Sequence, residues 1–95
     1  MDVKLLQILE QGGICQMLCV LLDNPSGTSK NDFRKPPLNL DARAINRNLL
    51  ALYSSRLIEV IPNTPKVIHR LTEKGKVIAV KVKEILTALE NETKN

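Results

Sequence analysis

The side chains whose types and spacing carry the clearest chemistry lie close together: Arg43, Asn46 and Arg47 stand three and four residues apart, on one side of any helix that contains them. A guanidinium can donate two parallel hydrogen bonds to a phosphate or to O6 and N7 of guanine, and a carboxamide can pair with adenine in the same two-pronged way. Asn48 falls nearer the edge of this polar face and would add a further donor. A basic helix surface is also the ordinary solvated face of a soluble protein, so these residues alone leave both readings open.

Other chemistry is poorly provided for. The single histidine, His69, has no paired carboxylates, phosphate-binding glycine loop or nucleophile motif to work with, so a non-enzyme without cofactors is expected. Cys15 and Cys19 are spaced i, i+4 in an apolar stretch. Two thiols do not make a disulfide framework, and a metal site needs more ligands than one histidine adds, so small core residues are expected, with a redox switch as the alternative. His69 alternates with Val67 and Leu71, the pattern of a partly buried structural histidine, with a pH sensor as the other reading.

A helix from about Asp41 to Ser55 must present the polar face. Asp41 is a suitable N-cap, and Ile45, Leu49 and Leu52 recur at i, i+4 and i+7 as the buried side. Before it, residues 1–12 form an N-terminal helix or arm and residues 14–22 a core helix stopped by Asp23-Asn24-Pro25-Ser26-Gly27. A short helix capped by Ser29 and anchored by Phe33 must finish before Pro36-Pro37. After it, Leu57 to Ile61 and Lys66 to Leu71 flank Pro62-Asn63-Thr64-Pro65 as the strands of a hairpin, residues 57–71 in all. A C-terminal helix over 72–91 follows, and a polar tail ends the chain. The order gives one mostly helical α+β domain over 1–95.

Composition narrows the partners. The net charge of +4 lies wholly in the second half: residues 1–40 carry four basic against four acidic side chains, and residues 41–95 ten against six. The second half should therefore face any polyanion. With Phe33 and Tyr53 as the only aromatics, stacking platforms for single strands are lacking, which favours duplex DNA among nucleic acids. Every apolar run is far shorter than the roughly 18 residues of a membrane helix, and a cytoplasmic location without membrane contact is expected.

From Asn39 to Ile58 the chain resembles the turn, recognition helix and exit strand of winged helix-turn-helix regulators of the MarR, ArsR and related archaeal and bacterial types. Leu40 matches the turn leucine, Asp41 the usual Ser or Thr cap, Ala44-Ile45-Asn46-Arg47 a frequent Thr-Val-Ser-Arg, and Leu57-Ile58 the entry to the wing. Arg70-Leu71-Thr72-Glu73-Lys74-Gly75-Lys76 is similar to the Leu-Thr-x-x-Gly segment that closes the wing, with Thr72 capping the last helix and Gly75 permitting close packing. Pro36-Pro37, Asn39 in place of glycine, and Arg56 where glycine commonly ends the recognition helix depart from the pattern.

The resemblance implies sequence-specific duplex DNA binding by a dimeric transcriptional regulator. Arg43, Asn46 and Arg47 would contact bases, Ser29, Lys30 and Asn31 the phosphates, and Lys66 and Asn63 the backbone beside the wing. Leu5, Leu6 and Leu9, with Ile78, Val82, Ile85 and Leu89, would form the homodimer contact. A small-molecule effector has no identifiable site. Winged helices also serve as protein-interaction modules, and that alternative predicts a neutral or apolar reading helix.

Overall fold

The computed structural model describes residues 3–61 and 66–93, with side chains over 6–61 and 66–91. α1 (Val3–Leu9) leads through Gly12 and Gly13 into α2 (Ile14–Asp23). Gly13 takes φ +91° at the junction, and a Cβ there would stand 3.0 Å from both Leu40 methyl carbons and 3.2 Å from Asn48 Nδ2. Only glycine suits both the left-handed backbone and the close approach. Ile14, Met17, Leu18 and Leu21, one stripe of α2, are buried at the centre of the core.

α3 (Lys30–Arg34) is held down by the fully buried Phe33 and stops ahead of the cis Pro36–Pro37 pair, as the two prolines require. Asn39 occupies the turn with φ +51°, a conformation asparagine tolerates better than other non-glycine residues. α4 (Ala42–Ser54) then begins under the Asp41 carboxylate, which accepts the Ala44 N–H at 2.7 Å. Its far end closes with the Arg56 N–H donating to the Tyr53 carbonyl at 3.0 Å and the Leu57 N–H to the Leu52 carbonyl at 2.9 Å. This doubled cap needs a left-handed residue, and Arg56 supplies it at φ +61° where glycine would be unstrained.

The hairpin pairs β1 (Ile58–Ile61) with β2 (Ile68–Leu71), antiparallel, in the register Ile58↔Leu71 and Val60↔His69. Its tip, residues 62–65, lies outside the described residues. Thr28 bridges the other edge of β2, which the sequence pattern did not suggest: its N–H donates to the His69 carbonyl at 2.7 Å, and the His69 N–H returns a bond to the Thr28 carbonyl at 2.8 Å. The loop before α3 is thereby sewn to the free edge of β2.

Thr72 joins the hairpin to both flanking helices. Its hydroxyl donates to the Arg56 carbonyl at 2.7 Å and accepts the Gly75 N–H at 3.1 Å, while its own N–H donates to the Leu57 carbonyl at 3.0 Å. A Cβ on Gly75 would overlap that same Leu57 carbonyl oxygen, which explains why the first turn of α5 (Glu73–Thr93) packs so tightly here. α5 then crosses α2, with Ala79 and Val82 in the core and a Lys83–Asp23 ion pair of 2.8 Å on the surface. It continues to Thr93, beyond the expected end at Asn91. Among the described residues no helix is long and apolar enough to cross a membrane.

Val82, expected at a dimer contact, is only 7% exposed and closes this chain's own core. Leu9 and Ile78 are half-buried against the same core, whereas Ile85 and Leu89 stand 61% and 57% exposed. Helix face explains the division: Gly75, Ala79, Val82 and Leu86 make the inward stripe of α5, so Ile85, one residue before the half-buried Leu86, points away from the core. The Leu5 side chain lies outside the described residues.

Two substitutions test the joint around Thr72 with opposite signs. Gly75→Ala should destabilise the fold by about 1–3 kcal/mol, because a rigid carbonyl must give way. Arg56→Gly should stabilise it by up to about 1 kcal/mol by removing the left-handed penalty. Thermal unfolding should show melting temperatures moving apart in these directions; a shift of the same sign in both variants is not expected from this geometry.

Candidate nucleic-acid interface

Burial of Ile45, Leu49 and Leu52 fixes which way α4 faces. Arg43, Asn46 and Arg47 are consequently exposed, and they share the outward side with Leu50, Tyr53 and Ser54. Among the described residues neither guanidinium makes an ion pair, so both keep their donors for a ligand. The helix N-terminus already has its capping carboxylate in Asp41, which leaves the arginines as the cationic element of this face.

Asn48 corrects the sequence reading. It is fully buried, and its Nδ2 donates to the Gly12 carbonyl at 2.8 Å and lies 3.4 Å from Met17 Sδ. Its position three residues after Ile45 and four before Leu52 puts it on the inner flank of the helix, where the glycine junction leaves a carbonyl to be satisfied. Asn48 therefore ties α4 to the start of α2 and is withdrawn from the outer face. The signal was present in the spacing: on a helix the step from 45 to 48 stays on the apolar side.

The remaining predicted contacts fall on α3 and the base of the hairpin. Lys30 and Asn31 are exposed and line two adjoining concavities, one of about 290 Å³ shared with Ser29, Lys66 and Val67, the other of about 180 Å³ shared with Arg34, Ala42, Ile45 and Asn46. They thus connect Lys66 at the wing with Asn46 on α4. The Ser29 hydroxyl is taken up locally: it lies 3.2 Å from Asp32 Oδ2, which also accepts the Ser29 N–H at 2.9 Å. Arg34, one turn after Lys30 and exposed beside Asn46, belongs to this surface although the sequence analysis passed over it; its i+4 spacing from Lys30 was the available clue. Asn63 lies outside the described residues.

With these elements placed, the chain compares closely with two solved structures. It superposes on a possible HxlR family transcriptional factor from Thermoplasma volcanium GSS1 with a TM-score of 0.83 and 21% identity, covering 95% of this chain and 82% of that one. It superposes on the transcriptional repressor BigR from Xylella fastidiosa with a TM-score of 0.76 and 21% identity, covering 93% and 85%. No protein-family model and no curated protein matches the sequence. The likeness shows the fold, a winged helix-turn-helix in which α3 and α4 form the helical pair, β1 and β2 the wing, and α5 the long terminal helix.

Behind this surface lie the remaining reactive groups. Burial pushes the Cys15 thiol up, and burial together with the Asp23 carboxylate pushes Cys19 up, so both are poor nucleophiles. Among the described residues no cluster of three or more His, Cys, Asp or Glu could hold a metal ion. His69 is 5% exposed, neither ring nitrogen has a hydrogen-bond partner, and burial and then the Lys30 ammonium hold its pKa below the ordinary 6.5. The unfolded chain therefore binds more protons than the folded one as pH falls through that value. Stability should be at its plateau above pH 6.5 and decline below it. Denaturant unfolding from pH 7.5 to 5 should show this slope in the native chain and a flatter one in His69→Phe; identical slopes would place the pH dependence elsewhere.

Proposed function

We propose that this chain is a transcriptional regulator that binds duplex DNA sequence-specifically as a homodimer, inserting α4 into the major groove. The observation that carries this reading is the outward side of α4, where Arg43 and Arg47 stand exposed and, among the described residues, without an ion pair, beside Asn46 on a helix whose opposite side is locked into the core. The names of the two structural neighbours, a transcriptional factor and a transcriptional repressor, support it. So does the charge excess in residues 41–95.

In this reading Arg43, Asn46 and Arg47 pair with base edges, because N-terminal residues of a reading helix reach deepest into the groove. Lys30, Asn31, Arg34 and Lys66 hold the flanking phosphates; Asn63, expected to share that role, lies outside the described residues. The protein's work is binding, without catalysis or a cofactor. Dimerisation uses the outward side of α5, where Ile85 and Leu89 are exposed, together with Leu6 of α1, which is also exposed. A two-fold pair sets its reading helices about one DNA turn apart and so selects a near-palindromic site.

Binding measured by fluorescence anisotropy tests the interface. If Lys30, Arg34 and Lys66 each neutralise one phosphate in both protomers, log K should fall against log salt with a slope of about −5. Arg47→Ala should cost about 1–3 kcal/mol on the selected site and much less on random duplex. A flat salt profile would remove Lys30, Arg34 and Lys66 from phosphate contact, and equal losses, or none, on every sequence would remove Arg47 from the base-reading set. Separately, sedimentation of the native chain should show a dimer at micromolar concentration and Ile85→Glu a monomer; a native monomer would leave the α5 surface without its proposed role.

A further inference from the structure

Leu50 is the most exposed large apolar side chain among the described residues, at 69%. Its surroundings make that exposure informative. It lies on the outward side of α4, seven residues after Arg43 and three after Arg47, with Tyr53 one turn further on at 53% exposed. The helix needs no leucine at this point for its own packing, since Ile45, Leu49 and Leu52 already fill the inner stripe and are buried to within 6% exposure or less. A single exposed leucine needs no explanation by itself, but this one shares its helix face with Arg43 and Arg47, so whatever those arginines bind also meets an apolar side chain.

The two guanidiniums narrow what that bound state is. A protein partner would be expected to meet a contiguous apolar patch, and here the apolar surface is limited to one leucine and the ring of a tyrosine beside cations without an ion pair among the described residues. A major groove offers the matching combination: acceptor atoms on purines for arginine, phosphate on either side, and one strongly apolar feature, the C5 methyl of thymine. We infer that Leu50 reads a thymine by packing on its C5 methyl group, next to the purines contacted by Arg43 and Arg47. The inference rests on the DNA-binding reading and adds to it a predicted base and a residue that specifies it. It also fits the geometry of the helix. Leu50 lies one helical turn past Arg47 and two past Arg43, so its thymine falls nearest the purine met by Arg47.

The test begins by enriching duplexes from a random library with the native chain. Each thymine of the enriched site is then replaced in turn by deoxyuridine, which removes the methyl group and leaves every hydrogen-bonding atom in place. At one thymine per half-site the native chain should lose about four-fold in affinity, the worth of one buried methyl-sized group. Leu50→Ala should bind the thymine duplex more weakly by a similar factor and should not distinguish uracil from thymine at that position. Because Leu50 is exposed, its melting temperature should match that of the native chain, which separates a lost contact from a lost fold.

Three outcomes overturn the inference. If a site is enriched and the native chain is indifferent to uracil everywhere, the methyl contact fails while DNA binding stands. If Leu50→Ala keeps the full uracil penalty, another residue reads that methyl. If no duplex is enriched at all, the DNA-binding reading fails, and the exposed leucine belongs to a protein contact.

Discussion

The rotation of α4 about its own axis is the constraint on which the rest of the structure depends. Three buried aliphatic side chains set it coarsely, and Asn48 sets it finely, since a carboxamide bonded to the Gly12 carbonyl admits far less rolling than a leucine among leucines. A roll of one residue, about 100°, would exchange arginines for aliphatic side chains on the surface. The two ends of the helix are secured by different means, Asp41 at the start and the Arg56–Leu57 double cap at the finish. Thr72 then links that finish to both wing and α5. The outward side of α4 is thus held from the helix's buried side and from its two ends.

The same arrangement connects distant parts of the chain. The glycine junction before α2 meets α4 through Asn48 and meets the turn before α4 through Leu40. The loop before α3 meets the wing through the Thr28–His69 bridge, which brings Lys30 and Lys66 to one concavity. Residues far apart in sequence therefore share one surface for backbone reasons, through ladder and cap hydrogen bonds, and not because their side chains attract one another.

Much of this was legible in the sequence wherever one local rule decided the outcome. Aliphatic spacing located α2, α4 and α5; Asp41 and Thr72 marked helix starts; Pro36-Pro37 ended α3; Gly75 marked a close approach. What escaped notice depended on long-range partners. Asn48 has the chemistry of a surface residue, and although its spacing puts it on the inner flank, the Gly12 carbonyl that satisfies it there is 36 positions away. The bridge at Thr28 needs His69, 41 positions later, and a single bridge has no periodicity to reveal it. Val82 and Ile85 sit on one heptad-like stripe, yet one is buried and the other exposed because the core takes only the narrower face carrying Ala79, Val82 and Leu86, a choice the broad stripe does not encode. The winged-helix resemblance, carried by residues 39–58 and 70–76, agrees with the superposed structures.

The most direct test of the central claim is a map of backbone amide shifts on adding duplex DNA to the isotopically labelled native chain, whose size of 10.6 kDa suits the method. The account predicts the largest changes from Ala42 to Leu50 in α4, with a second group at Lys30 and Asn31 and a third at Lys66, while the amides of α2 around Met17 and Leu18 remain in place. Changes concentrated on α1 and α5 with α4 unmoved would contradict it.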